Sequence, residues 1–130
     1  MILGEPASKH NSRRRLKLGK RTVYAKSDKA YAFSQSARLQ IPVEARVMFA
    51  GPVAVTLHVF YANRRSDLDD TIICDVLQAE FLGPPKNALV CRRGVYLNDR
   101  QIVERHVYKH IDRKNPRVHI TVEERLEWQL

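Results

Sequence analysis

Cysteine is scarce in this chain. Cys74 and Cys91 are the two it has among 130 residues, too few for a disulfide framework. Cys74 sits inside an apolar run and reads as a small core residue. Zinc-ligand spacing is missing as well. His106 and His110 stand four apart, which suits a helix, but they fall in a strand-like segment. There the spacing holds them too far apart to share an ion. No apolar run approaches the roughly 20 residues that cross a bilayer. The opening Met1-Ile2-Leu3-Gly4-Glu5-Pro6 lacks the basic-then-apolar order of a signal peptide. The expectation is a cytoplasmic protein with no membrane contact. Internal repeats and low-complexity segments are also missing.

Acids are outnumbered. There are 23 Lys and Arg against 14 Asp and Glu, a net charge of +9. The excess is concentrated at one end, where residues 1–30 carry nine bases and only Glu5 and Asp28 as acids. Such a patch fits nucleic acid or an anionic surface. With 44% hydrophobic residues, residues 1–130 are expected to form a single domain with an ordinary core.

Residues 1–8 read as a short first strand ending at Pro6. Residues 9–21, basic and polar with Gly19, read as a loop, and 22–25 as a brief extended piece. Ser27 and Asp28 are positioned to cap a helix over 29–40, with Ala30, Phe33, Ala37 and Leu39 on its buried side and Pro42 past its end. After the Gly51-Pro52 turn, 53–60 alternate apolar and polar and predict a strand. A second helix is expected over 69–81, its stripe formed by Ile72, Ile73, Val76 and Leu77 with Phe81 continuing it. Gly83-Pro84-Pro85 breaks it. Residues 86–94 read either as a helical turn or as a loop. A turn comes next at Tyr96 to Arg100, then strands at 101–111 and 117–123, then a charged tail at 124–130 containing Trp128. The order β-α-β-α-β-β predicts an α+β fold, a mixed sheet covered on one face by two helices.

Within this basic chain the acids are clustered. Residues 64–77 read R-R-S-D-L-D-D-T-I-I-C-D-V-L, with Asp67, Asp69 and Asp70 at the mouth of the second helix. Residues 94–103 read G-V-Y-L-N-D-R-Q-I-V and place Asp99 in a turn. One explanation is purely structural. An acid before a helix caps it and complements its dipole, and Asn-Asp is a common turn dipeptide. However, a cap needs one acid, not three. Alternation in an extended stretch aims Asp67 and Asp69 the same way, so both can reach one ion. Arg64 and Arg65 beside them suit phosphate. Hard oxygen donors select Mg²⁺, or Mn²⁺, which keeps some water and bridges to substrate phosphate. No small-molecule cofactor is called for.

These motifs resemble the RusA family of Holliday junction resolvases. D-L-D opening a helix, followed by G-V-Y-L-N-D-R-Q-I-V leading into a strand, matches its two acidic motifs. G-E-P-A-S-K-H-N at 4–11 resembles its opening strand and loop, and G-P-V-A-V-T at 51–56 the strand before its acids. The likeness covers residues 2–122. It implies a small homodimeric, Mg²⁺-dependent endonuclease that binds four-way DNA junctions and cuts paired strands. It places Asp67, Asp69 and Asp99 on the catalytic, metal-binding carboxylates; Asp70, which departs from the family pattern, adds a charge that would either join the metal ligands or perturb them. Two departures stand out. Asp70 replaces the usual Asn, and Ile73 occupies the place of a catalytic lysine, so that either Lys86, Arg92 or Arg93 supplies the cation or the enzyme is slow. The segment 82–93 is also longer than usual. The basic stretch, with Lys9, Arg13, Arg14, Arg15, Lys17, Lys20 and Arg21, reads as a DNA-contacting arm aided by Arg64, Arg65 and Lys86, against the alternative of a solvated tail that only aids solubility.

Two alternatives stay open. One is a non-catalytic nucleic-acid-binding protein on the same fold. The other is a basic RNA-binding protein of ribosomal type, for which the strands offer no aromatic platform.

Overall fold

The computed structural model describes residues 1–9 and 13–126. Its centre is β4 (Val53–Tyr61), whose alternating sequence decides the layering. Val53, Val55, Leu57, Val59 and Tyr61 are fully buried on one face. Burial of each such side chain is worth about 1.5–3 kcal/mol. Thr56, His58 and Phe60 between them are only half-buried. Strand β4 pairs in parallel with β7 (Ile102–Ile111) and antiparallel with β8 (Arg117–Glu124). A two-residue strand, β1 (Ile2–Leu3), completes a mixed four-stranded sheet of order β1-β8-β4-β7.

Helix α1 (Asp28–Gln40) starts where Ser27 Oγ accepts the Ala30 amide at 3.2 Å. It buries Ala30, Phe33, Ser34 and Ala37. Leu39, expected on that side, is 80% exposed because it lies off the 30-33-37 stripe. Helix α2 (Thr71–Leu77) buries Ile72, Ile73, Cys74, Val76 and Leu77. Both helices contribute to the one core cluster with β4, so the expected α+β sheet with two helices on one face is the observed fold. None of the helices among the described residues is long and apolar enough to cross a membrane.

The second helix is shorter than the 69–81 expected, and the cause is tertiary. The 94–96 segment runs directly against its end. Val95 donates to the Leu77 carbonyl at 2.8 Å and Ala79 donates to the Tyr96 carbonyl at 3.0 Å, which draws 78–79 into extended backbone. Gly94 permits the approach. A Cβ there would lie 2.4 Å from the Ala79 nitrogen and 2.6 Å from the Leu77 oxygen. Phe81 therefore falls in β5 (Glu80–Leu82), 45% exposed. The ambiguous 86–94 stretch resolves into a 3₁₀ turn at Pro85–Asn87 and β6 (Leu89–Arg92), which pairs with β5.

The basic segment read as a loop is instead a hairpin. Strand β2 (Arg13–Leu18) pairs antiparallel with β3 (Arg21–Lys26). Gly19, at φ 64°, supplies the left-handed turn residue. Its charge density concealed the alternation. Strand β8 carries one residue further than expected, and the Arg125 amide ties to the Pro52 carbonyl at 2.8 Å. Trp128 lies outside the described residues.

Candidate active site

The loop leaving β4 is fixed by its backbone. Ala62 donates to Glu5 Oε2 at 2.6 Å, and the Arg65 amide donates to Asn63 Oδ1 at 2.9 Å in an Asx turn. Lys109 Nζ donates to the Arg64 carbonyl at 3.0 Å and also to that of Ser66. Tyr61, wholly buried, organises the acidic stretch from 67 to 69. Its hydroxyl donates to the Asp67 carbonyl and accepts the Asp69 amide, both at 3.2 Å. The Lys9 amide reaches the same Asp67 carbonyl at 3.2 Å. Burial pushes the Tyr61 phenol up to about 12, so it stays a neutral donor across the working range. Burial likewise pushes the Cys74 thiol up to about 11, so this cysteine is an inert core residue.

The acids divide. Asp69 is buried, and its Oδ1 accepts the Thr71 amide at 3.1 Å. It holds the first turn of α2, as the structural explanation required. Asp70 forms an ion pair with Arg105 at 2.8 Å. Asp67 is exposed. Asp99 opens a 3₁₀ turn closed by the Asn98–Gln101 capping box. That turn is anchored firmly. Gln101 Nε2 donates to the carbonyls of Phe49 at 2.7 Å and Gly51 at 2.8 Å, and the Asp99 amide donates to Gln78 Oε1 at 3.0 Å.

Anchoring brings Asp99 to Asp69. Both line a cleft of about 460 Å³ together with Lys9, Lys26, Thr71, Ile72 and Asp75. Asp67 and Asp70 are beside this cleft in sequence but do not line it. Arg64, Arg65 and Lys86 are exposed and do not line it either. Of the basic stretch, Lys9 is in the cleft wall, while Arg15, Lys17, Lys20 and Arg21 are exposed on the hairpin. The side chains of Arg13 and Arg14 lie outside what the structure describes.

Sequence reasoning missed Lys26. It closes β3, lines the cleft, and reaches Asp75 at 3.7 Å and Ser34 Oγ at 3.5 Å. The available signal was its place just before the Ser27 cap, which sets it near the mouth of the helix layer. Ile73 is fully buried and is a core residue. Lys86, Arg92 and Arg93 are absent from the cleft wall, and Arg92 instead approaches Glu80 at 3.8 Å. A separate apolar hollow of about 320 Å³ beside Ile41, Phe49 and Val122 has no titratable side chain in its wall and offers no chemistry.

Among the described residues, no group of three or more His, Cys, Asp or Glu side chains is arranged as a ready metal cage. Magnesium does not need one. It binds through one or two carboxylates and keeps several waters, and Asp69 and Asp99, which line the same cleft, could serve as such hard donors.

The cleft thus gathers Asp69, Asp75 and Asp99 with Lys9 and Lys26 on a domain of charge +9, groups that suit a hard cation and a phosphate. The comparison with protein families gives the class of protein, a nuclease. Residues 4–123 match the model described as Endodeoxyribonuclease RusA, and the chain belongs to that family. None of the curated proteins matches it.

Proposed function

We propose that the chain is a Mg²⁺-dependent resolvase of four-way DNA junctions, with Mn²⁺ an acceptable substitute, acting as a homodimer in recombination and repair in the cytoplasm. The observation that carries this reading is the meeting of Asp69 and Asp99 in a cleft shared with Lys9 and Lys26. The family gives the substrate class.

Asp69 and Asp99 would hold the ion. When bound, it activates a water and stabilises the leaving oxygen. The remaining work belongs to the chain. Lys26 neutralises the phosphate at the cleft, and Asp75 at 3.7 Å keeps it oriented there. Lys9 supplies a second positive charge from the first loop of the chain. Tyr61 holds the backbone from 67 to 69 so that Asp69 faces the cleft. Asp67 and Asp70 complete the acidic surround, with Arg105 balancing Asp70. The basic hairpin and Arg64, Arg65 and Lys86 contact the DNA backbone, which positions without reading bases. A two-fold dimer presents two equivalent clefts to the two equivalent strands of a junction.

The test uses a synthetic four-way junction and a matched linear duplex, each with Mg²⁺ and with chelator. Cutting is expected only for the junction with metal. Asp69→Asn should abolish cutting while junction affinity holds or rises, since a negative charge is removed. Binding without any metal-dependent cutting would instead make the chain a non-catalytic DNA-binding member of the family. Wild-type cutting by Asp69→Asn would overturn the site.

A further inference from the structure

The ribbon of β5 and β6 belongs neither to the core nor to the cleft wall. Every residue from 81 to 93 except Ala88 is exposed. The register pairs Phe81 with Val90 and Leu82 with Leu89. Paired residues share a face of a ribbon, and successive residues alternate between its faces. Phe81 and Val90 therefore stand on one face, Leu82 and Leu89 on the other. Leu82 is 63% and Leu89 74% exposed. A ribbon that packs on a core is apolar on one face and polar on the other. This one is apolar on both, and both face solvent.

We propose that the ribbon is a wedge for branched DNA. It enters the crossover of a four-way junction and sets each apolar pair against the bare face of a terminal base pair. The proposal rests on the junction reading of the cleft and names the element that meets the branch point.

Shape and charge select this occupant. A ribbon apolar on both faces fits a gap between two apolar surfaces better than one flat surface. Where the arms of an opened junction meet, the last base pair of each arm presents such a surface. Apolar side chains inserted between base steps hold DNA unstacked and kinked. An unbroken duplex offers the gap only at the cost of unstacking a step. Lys86 is in the tip of the ribbon, Arg92 and Arg93 close it, and no acid stands between Glu80 and Asp99. A second copy of the ribbon would set bases against bases. The phosphates that flank a branch point match them.

The ribbon is stiff and is joined to the cleft. Gly83 leaves β5 at φ 97°. Pro84 and Pro85 fix the backbone beyond it, and the Asn87 amide donates to the Pro84 carbonyl at 3.0 Å. Little freedom is left to lose on binding. At the root, Glu80 lies 3.8 Å from Arg92 and 2.9 Å from Arg38, and Arg38 reaches Asp75 at 3.7 Å. Asp75 is in the cleft wall. Four residues at about 3.3 Å each set the tip about 13 Å beyond Glu80. DNA seated at Asp69 and Asp99 thus passes the root of the ribbon, with the branch point within its reach.

A synthetic four-way junction carrying 2-aminopurine in the pairs beside the crossover tests this, with the full chain and with chelator so that nothing is cut. Wild type should raise the fluorescence about threefold or more as those bases unstack. Leu82→Ser with Leu89→Ser should abolish the rise and slow metal-dependent junction cutting about tenfold or more, because the strand is then misplaced at the cleft. Affinity for linear duplex and the circular dichroism spectrum should not change, since both side chains are exposed. A wild type that neither binds nor cuts the junction would overturn the function reading and this one with it. Junction cutting without any fluorescence change, or a double variant indistinguishable from wild type, would overturn the wedge alone. Equal loss of affinity for junction and linear duplex would make the ribbon a general duplex contact. A changed oligomeric state of the double variant in light scattering would make it a contact between copies. Either result would overturn its place at the crossover.

Discussion

Removing one oxygen atom tests how the active-site loop is held. Tyr61→Phe deletes the hydroxyl that accepts the Asp69 amide and donates to the Asp67 carbonyl, each at 3.2 Å. The two partners do not lose equally. The Asp67 carbonyl keeps its bond from the Lys9 amide. The Asp69 amide, on a buried residue, loses its acceptor. A buried donor left unmatched costs about 1–3 kcal/mol. With the phenyl ring still filling its place, the expected loss is about 1–2 kcal/mol, or about 3–7 °C in Tm for a domain of this size. The variant also removes an alkaline liability. Tyr61 has its phenol raised to about 12 by burial, against about 10 in an unfolded chain. Its neutral form therefore stabilises the fold fully below pH 10, and that contribution is lost as pH climbs toward 12. The stability gap between wild type and Tyr61→Phe should narrow across that window. Junction cutting should fall between about tenfold and a hundredfold, because a carboxylate displaced by an ångström is misaligned for catalysis. Urea denaturation across pH and single-turnover cleavage measure both. A variant as stable and as active as wild type would show that the hydroxyl does not set the loop.

Three further outcomes are expected. Gly94→Ala forces a Cβ within 2.4–2.6 Å of three backbone atoms and should cost about 3 kcal/mol or more in urea denaturation. Lys26→Ala should slow cutting well beyond any loss of junction affinity, while Tm hardly moves, since its partly exposed ion pair with Asp75 is worth about 0–1 kcal/mol. Replacing Arg13, Arg14 and Arg15 together by Ala should weaken binding to all DNA alike and lower the salt slope by about 0.9 per lost contact, as titrations at several ionic strengths would show.

The parts of the fold that repeat a local rule were legible in the sequence. The alternation of β4 and the Ser27 cap of α1 gave those elements within a residue. The strands β7 and β8 were readable from their apolar-polar pattern. What was not legible depended on contacts across the chain. The end of α2 is set by Gly94 and Val95, which are nearly twenty residues further on. Strand β2 hid behind its own charge, while the extended piece expected at 22–25 is the middle of β3. At the site, the motifs pointed to Asp67, Asp69 and Asp99; the fold brings Asp69 and Asp99 to one cleft and leaves Asp67 outside its wall. The motif spacing could not say that Asp70 would turn to Arg105. Nor could it show that Lys26, more than forty residues before Asp69, would share the cleft with the carboxylates. Pairing in three dimensions, not spacing along the chain, decides both.

The cleft draws its wall from four distant stretches: Lys9 at the start of the chain, Lys26 at the end of the hairpin, Asp69 to Asp75 at α2, and Asp99 in the turn before β7. No fragment contains the set. Synthesis must pass Asp99 before the second carboxylate exists, and β7 must then dock in parallel beside β4 before that carboxylate is in place. Parallel pairing over such a separation is slow relative to local structure. On the function proposed above, a partly made or partly unfolded chain carries the basic residues of the hairpin without the complete cleft. The connectivity would then keep cutting from preceding the complete fold.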